Sequence, residues 1–84
     1  MTQVESLHEA IVVRADFRGG TIVPLLFRRR QQTFRIDRVN AVWQQRETNC
    51  RRYFFSVQVN EDIFELHLDG RDMQWWLERV CLEG

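Results

Sequence analysis

Apolar and polar residues alternate along much of this chain, which is the pattern of half-buried β-strands. In the stretch "EAIVVRADF", odd-numbered residues from Ile11 to Phe17 are apolar, and Arg14 and Asp16 take even-numbered positions. Similar alternation predicts further strands in "TIVPLLF", "TFRIDRV", "RRYFFSVQV" and "IFELHLD". The stretch "NAVWQQRE" either continues the third strand past a bend or forms a strand of its own.

Turn-forming residues separate these stretches. Gly19–Gly20 permits positive backbone φ, and Asn60–Asp62 and Asp69–Gly70 are typical of short connections between antiparallel strands. Pro24 has no amide N–H to donate, so it marks a sheet edge or a bulge. The residues "RRRQQ" between the second and third strands contain neither glycine nor asparagine, so we expect a loop wider than two residues there.

Two segments fit more than one structure. Near the N-terminus, Thr2 and Glu5 form a capping-box pattern that would begin a short helical turn. Residues 73–81 place apolar side chains at helical spacing, at Met73, Trp76, Leu77, Val80 and Cys81. The aromatic content of the same segment favours a strand with a bulge. From these patterns alone, helix and strand both stay open for residues 73–82.

Short strands with local turns predict an all-β protein made of one domain that spans residues 1–84. We expect a single small antiparallel sheet of five to six strands, curled or closed into a barrel, with a short helical turn as the alternative at either end. The expected core comprises Ile11, Val13, Leu25, Phe27, Phe34, Ile36, Val39, Trp43, Phe55, Val57, Phe64, Leu66 and Leu77.

Composition narrows the cellular context. The chain is 44% hydrophobic and 29% charged, which is ordinary for a globular domain and excludes a disordered segment. No apolar run approaches the roughly 20 residues that a membrane helix needs, and the first residues lack the pattern of a signal peptide. We therefore expect a cytoplasmic protein without membrane contact, whose Cys50 and Cys81 are reduced thiols.

The positive charges are all arginines, and they are unevenly spread. Residues 14–52 carry ten arginines and three acids, whereas residues 53–84 carry two arginines and seven acids. The candidate polyanion-binding residues, which would form an arginine-rich rim, are Arg28, Arg29, Arg30, Arg51 and Arg52. The alternative is that outward arginines pair with acids on neighbouring strands. The zero formal net charge weighs against nucleic acid, since most nucleic-acid modules are basic.

Catalytic chemistry is poorly represented in the sequence. His67 lies two residues from Glu65, as i and i+2 residues on any strand face do, and Cys50 precedes two arginines that would favour its thiolate. No two histidines or cysteines have the close spacing of a structural zinc site, and the sequence contains no glycine-rich phosphate loop. We therefore expect no metal, no cofactor and no enzymatic activity.

The tandem tryptophans Trp75 and Trp76 are the candidate protein-interaction residues, because one of the two must face outward if their segment is a strand. The sequence thus favours a non-catalytic binding module that contacts nucleic acid or another polyanion. The alternative is a protein-interaction or self-association module, such as a homodimer, that uses an exposed aromatic patch.

The order of the landmarks "VPLLFRRRQQTFRIDRVNAVW", "YFFSVQVNEDIFELHLD" and "WWLERV" resembles a family of small uncharacterised bacterial β domains, over about residues 10–80. Members carry Pro-x-x-Phe before a basic hairpin and end in Trp-x-Leu-x-x-Val, and the matching residues are Pro24, Phe27, Trp75, Leu77 and Val80. The resemblance implies that the last segment is a strand. Because members stand alone or are appended to proteins related to Y-family polymerases, it also implies an association with nucleic acid.

Overall fold

The computed structural model describes residues 2–83, which form one antiparallel sheet of seven strands and no helix. The strands are β1 (Thr2–Arg18), β2 (Thr21–Arg29), β3 (Gln32–Arg35), β4 (Arg38–Glu47), β5 (Cys50–Val59), β6 (Asp62–Asp69) and β7 (Gln74–Glu83). Their order across the sheet is β3-β2-β1-β7-β6-β5-β4. The predicted all-β class is therefore confirmed, with seven strands where five or six were expected.

The long strand β1 makes the sheet curl. Its first part pairs with β7 as far as Ile11, and its second part pairs with β2 from Val12 onward. Because β1 changes partners, β2 and β3 fold over β6, and the ring of Phe27 lies 4.9 Å from Phe34 and 5.1 Å from Phe64. Strands β3 and β4 remain the two edges, so the sheet is not closed and the expectation of a barrel was wrong.

One face of the curled sheet is an apolar core, and the opposite face is called the outer face below. The most deeply buried large side chains of the core are Phe27, Phe55, Val57, Leu66, Leu68, Leu77 and Val80. Val13, Phe34, Ile36 and Val39 pack partly buried against this cluster. Alternation along the strands therefore predicted the inner wall of the sheet correctly at most positions.

Two residues of the expected core lie at the surface because β-bulges change the alternation. In β2, Arg14 pairs with Leu26 but Ala15 pairs with Pro24, so Leu25 is an extra residue and is 38% exposed. In β4, the register shifts at Asn40, and the residues that follow it face the opposite side from the simple expectation. Trp43 consequently lies on the outer face and is 36% exposed.

The connection between β2 and β3 is a two-residue turn, and the expectation of a wider loop was wrong. Arg30 and Gln31 have positive φ values of 50° and 68°, the conformation that a type I′ turn requires at both central residues. Side chains other than glycine, asparagine and aspartate adopt this conformation at an energetic cost. The pairing of β2 with β3, in which Phe27 lies opposite Phe34, stabilises the turn although the two turn residues disfavour its conformation.

Both ambiguous segments are strands. Thr2 pairs with Glu83, and its hydroxyl donates to the Glu83 carboxylate at 2.8 Å, so the capping-box pattern begins no helical turn within residues 2–83. Glu78 is an extra residue in β7, because Leu66 pairs with Leu77 while the neighbouring Glu65 pairs with Arg79. Because of this bulge, Leu77 and Val80 both face the core although they are three residues apart, which accounts for part of the apparent helical spacing. The earliest residue of the N-terminal segment, Met1, lies outside the described residues.

Within residues 2–83, no helix is present that could span a membrane.

Candidate functional site: the outer face of the sheet

Three arginines share the outer face of β1, β2 and β3. Two cross-strand rows run side by side there: Arg14, Leu26 and Arg35 form one, and Val12, Arg28 and Thr33 form the other. Directly opposed residues in such rows have Cβ atoms about 4.5–5.5 Å apart, so the three guanidinium groups reach a common region of solvent. We call Arg14, Arg28 and Arg35 the arginine face.

No carboxylate in the described part of the chain neutralises the arginine face. Within residues 2–83, none of its three arginines lies within 4.0 Å of an Asp or Glu oxygen. Asp16, the next outward residue of β1, instead accepts a hydrogen bond from Arg18 at 3.1 Å. An open depression of about 500 Å³ lies beside Arg14 and Arg28, where β1 leaves β7. The region therefore combines uncompensated positive charge with space for a ligand.

The arginine triplet of the sequence divides between two faces. Arg28 belongs to the arginine face, whereas Arg29 points toward the inner side and binds Glu9 through two hydrogen bonds of 3.0 and 2.8 Å. Both side chains are about four-fifths buried, and the bidentate hydrogen bond lowers the pKa of Glu9 and raises that of Arg29. Arg30 reaches the same carboxylate at 3.4 Å. Among the described residues, only Arg28 of the triplet therefore lacks a carboxylate partner.

Arg51 and Arg52 follow Cys50 at the start of β5, far from the triplet. The β2–β3 hairpin lies at the other end of that strand, where Phe34 lines a shared depression with Val59 and Asn60. Arg52 is 3.4 Å from Glu47, and Arg51 is exposed without a carboxylate partner among the described residues. The structure therefore does not bring the five candidate arginines of the expected rim together.

A second feature of the outer face is a row of rings across β4 to β7. Trp43 pairs with Phe54, Phe54 with His67, and His67 with Trp76, each directly across neighbouring strands. The rings of Trp43 and Phe54 stack at 5.5 Å, those of Phe54 and His67 at 5.1 Å, and His8 of β1 stacks on Trp76 at 4.1 Å. We call Trp43, Phe54, His67, Trp76 and His8 the ring row. Stacking covers the faces of rings along the row, and the row ends at Trp43 on the edge strand β4.

Glu78 joins the two histidines of the ring row. Its carboxylate lies 2.6 Å from Nδ1 of His8 and 3.6 Å from Nδ1 of His67. His67 is only 3% exposed, and its Nδ1 atom has no hydrogen-bond partner among the described residues. Burial lowers the pKa of His67, although the nearby Glu78 carboxylate acts in the opposite direction. Burial of this ring therefore favours its neutral form in the folded protein.

The predicted interaction residues Trp75 and Trp76 have different environments. Trp75 faces the core, where it is 9% exposed and its ring lies 5.4 Å from Phe55, so it is not the outward member of the pair. Trp76 faces outward, as one of the two had to, but it is half-buried beneath His8. The exposed tryptophan at a sheet edge is Trp43, which the sequence analysis placed in the core.

Some of the site residues that sequence reasoning missed could have been predicted from the sequence, and others could not. Alternation in "EAIVVRADF" and "TFRIDRV" places Arg14 and Arg35 on the side opposite the apolar residues of their strands, and the register of the β1–β2–β3 hairpins joins them to Arg28. Trp43 gave no such signal, because the bulge at Asn40 that turns it outward has no clear sequence pattern.

Other candidate chemistry is sparse. Cys50 and Cys81 are free and half-buried, and the Cys50 thiol lies 3.9 Å from a Glu47 carboxylate oxygen. Among residues 2–83, no group of three His, Cys, Asp or Glu side chains is arranged to hold a metal ion.

Comparisons with known proteins give no further guidance. No family model, no curated protein and no solved structure matches this chain. The resemblance of residues 10–80 to small bacterial β domains therefore stays a prediction.

Proposed function

We propose that this protein is a non-catalytic binding module that contacts the sugar-phosphate backbone of nucleic acid through the arginine face. The observation that carries the proposal is the position of Arg14, Arg28 and Arg35 on adjacent rows of one face, none of them bonded to a carboxylate among residues 2–83. Arginine suits this role because its planar guanidinium group donates two parallel hydrogen bonds to phosphate oxygens.

The surroundings of the three arginines fit a chain of phosphates better than a single small anion. Arg14 and Arg35 flank Leu26 from opposite sides, so their backbones are about 10 Å apart across two strand spacings. The arginines would thus contact successive phosphates, while Leu26 and the 70%-exposed Val12 offer apolar surface to sugars or bases.

The zero net charge of the chain is compatible with this proposal, because most acids lie elsewhere. Glu9 is occupied by Arg29, and Asp69 accepts hydrogen bonds from the backbone and side chain of Arg71. Glu65 and Glu78 lie on the outer face of β6 and β7, away from the arginine face. Charge separation within a neutral molecule supports weak binding rather than tight binding.

The test is fluorescence anisotropy with labelled oligothymidylate and with a mixed-sequence DNA duplex, starting at ~50 mM salt, where nonspecific electrostatic binding is strong. Three phosphate contacts predict a slope of about −2 to −3 in a plot of log K against log salt. Arg28→Glu should abolish measurable binding to both probes. Arg79→Glu is the matched control, since Arg79 lies on the outer face of β7 beside Glu65.

Two results would contradict the proposal. One is the absence of binding to both probes at low salt by the wild-type protein. The other is an equal loss for Arg28→Glu and Arg79→Glu, which would show that total charge matters and the arginine face does not.

A further inference from the structure

Strand β4 is a long and unprotected sheet edge. It spans ten residues, pairs with β5 on one side, and has no strand on its other side within residues 2–83. Nine of its ten residues are exposed, and only Val39 is half-buried. The opposite edge strand, β3, has only four residues. An exposed edge presents unpaired N–H and C=O groups that can pair with another strand.

The centre of this edge lacks the devices that usually block strand addition. Residues 41–45, "AVWQQ", contain no charge and no proline, and the bulge at Asn40 and the charged Arg46 lie on either side of them. Val42 is 57% exposed on the inner side and Trp43 is 36% exposed on the outer side. A strand added here would therefore bury apolar area on both of its faces as well as complete a hydrogen-bond ladder.

The ring row indicates what the added strand should carry. Each step of the row from Trp76 to Trp43 places an aromatic ring directly opposite another on the next strand, and the row ends at the β4 edge. An aromatic residue on an incoming strand, opposite Trp43, would extend the same stacking, and aromatic cross-strand pairs are among the most favourable ones.

We propose that the occupant is a second copy of this chain, whose β4 pairs antiparallel with this β4 about a two-fold axis at Trp43. In a continuous sheet with such an axis, opposed residues must face the same side, so their residue numbers add up to an even number. Centring on Trp43 places Trp43 opposite Trp43 of the partner subunit, Val42 opposite Gln44, and Ala41 opposite Gln45. The ring row then runs without interruption from one subunit into the other.

Neighbouring registers are less favourable. Centring on Val42 places Trp43 opposite Ala41, which loses the aromatic pair. Centring on Gln44 places Trp43 opposite Gln45 and brings charged Arg46 over Val42. Only the Trp43-centred register joins two aromatic rings and keeps charged residues out of the central five pairs, so it defines a specific interface.

The interface is small, because it consists of one strand edge and the side chains on either side of it. Interfaces well below 1,200 Å² are typical of weak or transient complexes. We therefore expect the protein to be mostly monomeric at ~10 µM and substantially dimeric at ~500 µM, in the range of weak association.

Sedimentation velocity across this concentration range, without nucleic acid, tests the association. The weight-average sedimentation coefficient of the wild-type protein should rise toward the dimer value, and Trp43→Lys should stay at the monomer value because two ammonium groups would meet at the axis. Val12→Lys is the matched control, since Val12 is also an exposed apolar residue of the outer face but lies on β1. Circular dichroism should show that both variants are folded.

Disulfide trapping tests the register and does not depend on the folding of Trp43→Lys. In a background with Cys50→Ser and Cys81→Ser, an equimolar mixture of Ala41→Cys and Gln45→Cys should form a covalent dimer about tenfold faster than either variant alone. Three results would overturn the proposal. The wild-type protein could be monomeric at ~500 µM, Val12→Lys could abolish the dimer as fully as Trp43→Lys does, or all three cysteine samples could be trapped at equal rates. Arg28→Glu should dimerise normally, which separates this result from the failure of nucleic-acid binding.

Discussion

The two halves of the outer face follow the same strand alternation, yet outward side chains are buried in one half and exposed in the other. In the ring row, Phe54 is 8% exposed and His67 3%, because each ring is covered by the ring on the next strand. In the half that carries the arginine face, Val12 is 70% exposed and the three arginines project into solvent. An outward position on a sheet therefore does not fix whether a residue stabilises the fold or remains free to bind a ligand.

The difference arises from how many strands keep a common register. Across β4 to β7, the row through Phe54 and His67 passes over four strands without a break, so each ring lies opposite another ring on the next strand. Across β1 to β3, the extra residue Leu25 ends the regular rows and β3 contributes only four residues. The shorter rows leave room for long flexible side chains, which keep their charged ends in water.

The strongest test of the comparison is the truncation of one ring. Phe54→Ala removes a buried ring from the middle of the row, and we expect the free energy of unfolding to fall by about 3 kcal/mol. Arg28→Ala, at the equivalent outward position of the arginine face, should change it by less than about 0.5 kcal/mol. Urea unfolding followed by tryptophan fluorescence measures both values.

Equal effects of these two substitutions would break the comparison. A small effect of Phe54→Ala would mean that the ring row contributes little to stability. A large effect of Arg28→Ala would mean that the arginine makes contacts in the folded protein that its exposed position does not indicate.

A second test uses the pH dependence of stability. Burial lowers the pKa of His67 below its usual value of 6.5, so the folded protein keeps the ring neutral where the unfolded chain takes up a proton. The groups around it are Glu78, Arg52, Asp69 and His8. The free energy of unfolding should therefore have its full value above pH 6.5 and should fall as the pH decreases through and below that value. Urea unfolding at pH 8.0, 6.5 and 5.5 measures the change.

His67→Phe is the variant that sharpens this test, because a phenyl ring can stack on Phe54 but cannot take up a proton. Its stability should depend less on pH between 8.0 and 5.5 than that of the wild-type protein. Asp69 does not interfere, since Arg71 lowers its pKa from 3.8 to about 2 and its contribution is lost only in that more acidic range. An unchanged pH profile for His67→Phe would show that His67 is not the responsible group.

Sequence alone predicted the face of most residues in both halves of the molecule. The period of two along β1 and β3 placed Arg14 and Arg35 outside and Val13 and Phe34 inside, as the structure has them. The all-β class follows from the same regularity, since alternation and local turns need no knowledge of distant contacts.

The remaining features depend on pairing between segments that are distant in sequence. Arg29 is held by Glu9, which is twenty residues away and meets it only because β1 pairs with β2. The Arg30–Gln31 turn adopts a conformation that its own residues disfavour, and Trp43 faces outward because of a bulge relative to β5. Which arginine is free, and which tryptophan is exposed, therefore follows from register and not from composition.

The smallest expected effect concerns repulsion within the arginine face. Arg28 has Arg14 and Arg35 as diagonal neighbours on adjacent rows and no carboxylate partner among residues 2–83, so replacing it should relieve like-charge repulsion. We expect Arg28→Gln to raise the free energy of unfolding by about 0.3 kcal/mol at ~20 mM salt and to have almost no effect at ~500 mM salt, where the charges are screened. Arg79→Gln should have the opposite sign at low salt, because it removes an attraction to Glu65 at 3.6 Å. Urea unfolding of the three proteins at both salt concentrations measures these differences.

Destabilisation by Arg28→Gln at low salt would contradict this prediction. It would show that other groups of the folded chain already neutralise the arginine face, and the three arginines would then not be free to bind phosphate.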